Sequence, residues 1–249
     1  MSEHGVIAVT GGNRGIGAAI TVELARRGFA VACLSRRGGR PALAGEDPAA
    51  AARIVGQACD VTDEASVRRA FAGLLEAGHH LRGLVNNAGI HLYGPSDRFA
   101  TSDFERVMAT NATAVFVAAR EAYPHLVAAG GGLIVNIGSF FDKLGVKQNA
   151  AYCASKAAVG AITRCLAVEW ATKGVRVLDV APGYVLTDLN REDLAAGRPL
   201  AAYLERRIPL GRPATPEPIA RLVASLFSEN NTFLTGETIY VDGGQGIAH

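Results

Sequence analysis

Aromatic side chains are scarce in this sequence, 6% of 249 residues, and glycine (29) and alanine fill much of the space they leave. That composition suits helices packed closely on a sheet. Net charge is also small: 25 Lys and Arg stand against 23 Asp and Glu, a formal +2, with no massed basic stretch. Broad nucleic-acid binding is thereby disfavoured, because it needs a basic face that displaces counterions. The four cysteines, Cys33, Cys59, Cys153 and Cys165, lack the paired short spacing of a zinc site, and no metal site is expected. They read as buried thiols of a reducing compartment. No apolar run reaches the roughly 18 residues of a membrane span, and no signal-peptide pattern precedes the first apolar run, so a cytoplasmic protein is expected. Disorder is excluded by 49% hydrophobic and 19% charged residues.

What is present alternates. Short β-branched runs are expected as strands at 6–10, 30–34, 53–58, 84–85, 133–137, 175–180 and 238–241. Helices are expected at 16–28, 63–77, 102–129 (with a disturbance at Pro124) and 151–173, and none is assigned to the Gly/Pro/Ala stretch 38–52. Runs such as Leu133-Ile-Val-Asn-Ile137 are apolar on both faces, as in strands covered from both sides. The alternation predicts an α/β fold: one doubly wound parallel sheet of about seven strands, with helices on both faces and ligands beyond the strands' carboxyl ends. Residues 1–249 read as a single nucleotide-binding domain of Rossmann type, with 186–215 inserted over the site.

The first turn carries Thr10-Gly-Gly-Asn-Arg-Gly-Ile-Gly17 between a strand and a helix. Glycines there let the backbone approach a pyrophosphate, whose charge the helix N-terminus favours. At the end of the second strand, a dinucleotide with a free ribose usually meets Asp or Glu. This sequence has Ser35-Arg36-Arg37 instead, and Arg14 within the turn adds another positive charge. A hydroxyl and guanidinium groups suit a 2′-phosphate, so NADP(H) is expected over NAD(H), although Arg36 and Arg37 could also be plain solvated loop charges.

Tyr152 and Lys156, four apart at the start of a strong helix, face the same side. A nearby ammonium lowers a phenol's pKa and lets it act as a general acid toward a carbonyl. Alone the pair is also an ordinary helix surface pattern. Ser139, directly after the fifth strand, lies at the sheet's carboxyl edge, where a hydroxyl could hold a substrate oxygen or merely cap a loop.

Taken together, Thr10-Gly-x-x-x-Gly-x-Gly17, Asp60-Val61, Asn86-Asn-Ala-Gly89, Asn111, Ser139, Tyr152-x-x-x-Lys156 and Pro182-Gly183 resemble, in order and spacing, the short-chain dehydrogenase/reductase family. The resemblance is greatest to its 3-oxoacyl-[acyl-carrier-protein] reductases, through Val135-Asn-Ile-Gly-Ser139, Ile208-Pro-Leu-Gly-Arg212 and Thr235-Gly-Glu-Thr238 with Val241-Asp-Gly-Gly244. It implies that Tyr152 donates the proton, Ser139 bonds the carbonyl oxygen, Lys156 binds the nicotinamide ribose and Asn111 holds a relay water. Gly11, Asn13, Arg14, Gly15, Ile16 and Gly17 would form the phosphate turn, and Ser35, Arg36 and Arg37 would meet the 2′-phosphate. Asp60 and Val61 would contact adenine; Asn87, Ala88 and Gly89 would line the ribose and phosphate; Pro182, Gly183 and Val185 would flank the nicotinamide, with Thr187 near the phosphates. The implied activity is NADPH-dependent reduction of a ketone to a secondary alcohol, a 3-oxoacyl thioester first, by a homotetramer or at least a dimer. A sugar, polyol, cyclic-alcohol or steroid dehydrogenase is the alternative, and a non-catalytic nucleotide sensor the reading from another class. Carrier-protein reductases are expected to carry basic residues near the cleft mouth, yet Ala128-Ala-Gly-Gly-Gly132 carries none, whereas Lys173 matches the second such position. His79 and His80 read as loop residues, His91 after the Asn-Ala-Gly turn as a loop residue that could border substrate, Cys153 as packing, and Trp170 as core or interface.

Overall fold

The computed structural model describes residues 5–42, 47–187, 190, 192, 198–229 and 231–248. Seven parallel strands form one sheet: β1 (Val6–Thr10), β2 (Ala30–Ser35), β3 (Ile54–Ala58), β4 (Leu81–Asn86), β5 (Gly132–Ile137), β6 (Val175–Pro182) and β7 (Thr238–Val241). Their order is β3-β2-β1-β4-β5-β6-β7. The chain steps outward one way from β1 and then returns to β1's other side with β4, which opens the crevice where such sheets take ligands.

Side chains alternate along each strand, and helices cover both faces of the inner strands, so β1, β2, β4, β5 and β6 are buried at nearly every position. On one face Ile7, Val9, Val135 and Val180 pack under α1 (Gly15–Arg26) and α8 (Pro216–Ser228). On the other, Ala8, Leu84, Ile134 and Val177 pack under α3 (Glu64–Glu76), α5 (Ala114–Ala128) and α6 (Ala150–Trp170). Trp170 is buried there and stacks on Tyr123, ring centroids 4.5 Å apart. Short helices α2 (Pro48–Ala51) and α7 (Pro199–Arg207) complete the set with α4 (Thr101–Met108).

Most elements fall where the periodicity places them, and the departures have local causes. β4 begins at Leu81 rather than 84: Leu81 pairs with β1 and Gly83, which carries no β signal, pairs with both β1 and β5, while Arg82 falls at a register shift between them. The stretch 38–52, without an expected helix, contains α2, started by Asp47, whose side chain accepts from Ala50 N, and by Pro48. The long helix expected over 102–129 is interrupted not at Pro124, which α5 accommodates, but at a π segment, Ala109–Thr113. Helix α8 was not expected; its buried Ile219, Ala220, Val223, Ala224 and Phe227 nevertheless follow a helical period behind two prolines. Within 186–215, residues 188–189, 191 and 193–197 lie outside the described residues. No helix among the described residues is long and apolar enough to cross a membrane, and no group of three or more His, Cys, Asp or Glu among them could hold a metal.

Candidate active site

Gly11 and Gly15 adopt φ +61° and +55°, left-handed conformations that favour glycine. A Cβ at Gly17 would fall 2.3 Å from the Gly11 carbonyl oxygen and 2.4 Å from Asn87 Nδ2, so the turn closes only around glycine. Asn87 ties it down by donating from Nδ2 to the Thr10 and Gly11 carbonyls, both at 3.1 Å. The main-chain N–H groups of Asn87 and Ala88 donate in turn to Thr10 Oγ1, and Gly89 lies beside Asn111. Whereas Asp63 caps α3 by accepting from Ala65 N, the residue before α1, Arg14, makes no side-chain cap. The first N–H groups of α1 are left for an anion, so the turn, with Asn13 and Ile16 between its glycines, fits a pyrophosphate.

Farther along the crevice, Arg36 and Arg37 are exposed, whereas Ser35 is buried and its hydroxyl donates to Gly39 O at 3.3 Å. The three residues expected to act together are thus divided. Asp60 accepts from the Thr62 hydroxyl at 2.7 Å and from Thr62 N, which hold its carboxyl below the usual range, with the nearby Arg36 charge acting in the same direction. Val61 packs beside it against the core under α3. On the opposite side β6 runs through Pro182, and a Cβ at Gly183 would meet Asp242 Cα at 2.7 Å. Val185 is buried, and its carbonyl accepts from Asn190 Nδ2 at 2.9 Å. Thr187 is the nearest group to the space where a Cβ at Gly15 would stand, 3.6 Å away, so this far segment reaches the glycine turn.

Ser139, Tyr152 and Lys156 converge at the carboxyl end of β5. Ser139 is 7% exposed and its oxygen accepts from Phe141 N at 3.3 Å, capping the 3-10 turn Phe140–Lys143. Lys156 is buried, donates to Ile137 O at 2.7 Å and lies 5.6 Å from the Tyr152 ring centre. Burial pushes the phenol up to about 12, opposed by the Ser139 hydroxyl, and pushes the lysine down to about 8, opposed by the Asp179 carboxylate. The sequence argument expected the ammonium to depress the phenol. Here desolvation wins, because the ammonium is turned to the Ile137 carbonyl. Asn111, 1% exposed within the π segment, accepts from Ile90 N and donates to Ile90 O, both at 2.8 Å, and to Ser155 Oγ at 3.1 Å. Its amide thereby joins the helix break to the helix that carries Tyr152.

The substrate side contains residues that the motifs did not single out. The His91 ring lies 4.5 Å from that of Tyr152, Phe141 meets Tyr152 edge-on at 5.9 Å, and Tyr184 meets Phe141 at 6.0 Å. Asn149 Nδ2 donates to Lys147 O, so its Oδ1 accepts from His91 Nε2. That leaves Nδ1 of the neutral ring as an acceptor. His91 therefore belongs to the site's wall, not to a detached loop; its position just after Asn86-Asn-Ala-Gly89 was the available signal. Cys153, next to Tyr152, is only partly buried, and burial raises its thiol.

Known proteins are similar to this chain along nearly its whole length. The sequence model of the family described as enoyl-(acyl carrier protein) reductase matches residues 11–245. The inactive 2-(S)-hydroxypropyl-CoM dehydrogenase 2 of Xanthobacter autotrophicus is 40% identical over 222 residues, 88% of this chain and 96% of that one. The 3-oxoacyl-[acyl-carrier-protein] reductase MabA of Mycobacterium tuberculosis is 36% identical over 243 residues, 98% of this chain and 93% of its own. Among solved structures, a gluconate 5-dehydrogenase from Burkholderia cenocepacia in complex with NADP and tartrate superposes with a TM-score of 0.91 at 30% identity, covering 100% of this chain and 97% of that one. With the glycine turn opening the crevice and the Ser139, Tyr152 and Lys156 side chains meeting at its floor, the chain belongs to the short-chain dehydrogenase/reductase family, oxidoreductases of the secondary alcohol/ketone couple.

Proposed function

We propose that this protein is an NADPH-dependent ketone reductase, working reversibly, with a 3-oxoacyl thioester as its first substrate class. The observation that carries the reading is the convergence of Ser139, the Tyr152 phenol and the buried Lys156 at one strand end. Bound NADPH supplies the hydride; the protein supplies orientation and the proton. Ser139 donates a hydrogen bond to the substrate oxygen, and Tyr152 passes its proton to that oxygen as negative charge develops there. Lys156 would hold the nicotinamide ribose and, turned from the Ile137 carbonyl toward the phenol, would favour the phenolate left behind. The amide of Asn111 is engaged by Ile90 and Ser155, so a relay water here would be met by the main chain of the π segment.

NADPH over NADH is supported by the exposed Arg36 and Arg37 and by Ser35, a neutral residue, at the end of β2. The roles of Gly11, Gly15, Gly17 and Thr187 at the phosphates and of Asp60 at the adenine rest on their places along the crevice. A second reading, oxidation of a compact hydroxylated alcohol, is favoured by the His91–Asn149 pair, whose free ring nitrogen can accept from a substrate hydroxyl. An NADPH-consumption screen over acyl thioesters, free ketones and keto-sugars, run with the reverse reaction, separates the two. Fastest turnover on 3-oxoacyl thioesters supports the first reading, and fastest turnover on hydroxylated ketones the second. Nucleotide binding without turnover on any of them would return the protein to a sensing role.

A further inference from the structure

A polar row crosses the otherwise apolar sheet beneath α6. Asn86, Asn136, Asp179 and Thr238 are register partners on β4, β5, β6 and β7. The two asparagines are satisfied: Asn86 Nδ2 donates to Asn136 Oδ1, and Asn136 Nδ2 donates to Thr163 Oγ1, both at 2.9 Å. Asp179 is different. It is 0% exposed, its Oδ2 accepts from Thr238 Oγ1 at 3.3 Å, and its Oδ1 has no hydrogen-bond partner among the described residues, the nearby Gly138 N–H being given to Val180 O. A buried carboxylate left in that condition is costly unless it takes a proton or faces a cation.

Lys156, the buried cation of the site, acts on that carboxylate through space across the Ile137–Gly138 backbone. The Asp179 carboxylate presses on Gly138, where a Cβ would come within 2.5 Å of Oδ1. Gly138 directly follows Ile137, the residue whose carbonyl accepts from Lys156 Nζ at 2.7 Å. Each charge offsets part of the other's burial: Lys156 is held at about 8 against desolvation, and Asp179 stands at about 6. Tyr152 on α6 stands by Lys156, and Asp142 in the turn after β5 and Tyr240 on β7 stand by Asp179, while Arg164 on α6 and Lys143 in that turn face Tyr240. Of these, Asp142 repels the Asp179 charge, and its own Oδ2 accepts from Tyr240 OH at 2.8 Å.

We propose that Asp179 is the counter-charge of Lys156, a positioning residue that keeps the buried ammonium protonated while Tyr152 exchanges its proton. The role of the pair in turnover rests on the catalytic reading above; the coupling itself does not. Gly138 is then small because the carboxylate occupies the space of its side chain, and Thr238 fixes the carboxylate from the far strand.

The test follows Lys156 in the apoenzyme. Trace acetic anhydride is applied across a pH series, and acetylation of Lys156 is read by peptide mass spectrometry, without substrate or turnover. In Asp179→Asn the midpoint should fall by about one pH unit relative to wild type, the size expected of a through-space pair in a partly screened interior. Asp179→Ser, smaller and also neutral, is read in the same way should the amide disturb folding. A downward shift in the folded variants supports the proposal, and an unchanged midpoint overturns it. The alkaline limb of kcat/KM should move in the same direction. Lys156→Met that retains turnover would reject the catalytic reading while leaving the acetylation result standing, so the two failures are distinguishable.

Discussion

Lys156 Nζ donates to the main-chain oxygen of Ile137 across 2.7 Å, so the proposed catalytic helix α6 is fastened to the end of β5 by the same group that serves the phenol. The ammonium is desolvated there and titrates at about 8. A lysine is charged below its pKa and neutral above it. Reductive kcat/KM for NADPH, which reports groups of the free enzyme, should therefore fall as pH rises through about 8. A profile flat across this range would contradict the assignment.

Tyr152→Phe removes the proton and keeps the ring that packs against His91 and Phe141. Turnover should drop by about 10²–10⁴, the usual worth of a general acid, with NADPH binding by fluorescence titration little changed. Near-native turnover would reject the mechanism.

Arg36 and Ser35 should behave differently, since the Ser35 hydroxyl is engaged with Gly39 O whereas the Arg36 side chain is exposed. Arg36→Ala should raise KM for NADPH about ten- to a hundredfold, the cost of losing one charge-assisted hydrogen bond, and leave NADH nearly unaffected. Ser35→Ala should do much less. Steady-state kinetics with both nucleotides checks the difference, and equal use of the two by the native protein would remove the basis for NADPH preference.

Association into a tetramer, or at least a dimer, is expected through the long helical regions 102–129 and 151–173, which contain α5 and α6, and the C-terminal segment, as the family resemblance implies. Both helices expose apolar side chains outward: Phe116 is 41% and Val168 80% exposed in the single chain. Light scattering should give about four times the 25.9 kDa chain, and Val168→Glu should lower it. A 25.9 kDa species at working concentrations would contradict the tetramer.

Carrier dependence should be weak. The segment Ala128-Ala-Gly-Gly-Gly132 carries no charge, which leaves Lys173 to steer an acidic carrier protein from this side. Matched 3-oxoacyl groups on carrier protein and on coenzyme A should give similar kcat/KM at low and high salt. A large, salt-sensitive preference for the protein carrier would overturn this.

The sequence by itself determined whatever rests on local spacing. Doubly apolar runs marked the strands, Gly11, Gly15 and Gly17 across the junction of β1 and α1 marked the phosphate turn, and the four-residue interval placed Tyr152 and Lys156 on one helix face. The tertiary structure decided what depends on segments far apart in the chain. The strand order sets Asp179 of β6 beside Asn136 of β5, with its carboxylate against Gly138. It also brings Thr187 to the Gly15 turn and lays His91 over Tyr152. The break at Ala109–Thr113 likewise carries no proline or glycine to announce it; it coincides with the hydrogen bonds of Asn111 to Ile90 and Ser155, partners 21 and 44 residues away. Periodicity reports which face of its own element a residue occupies, whereas the charge, burial and partners that make it functional are set by the neighbours the fold brings to it.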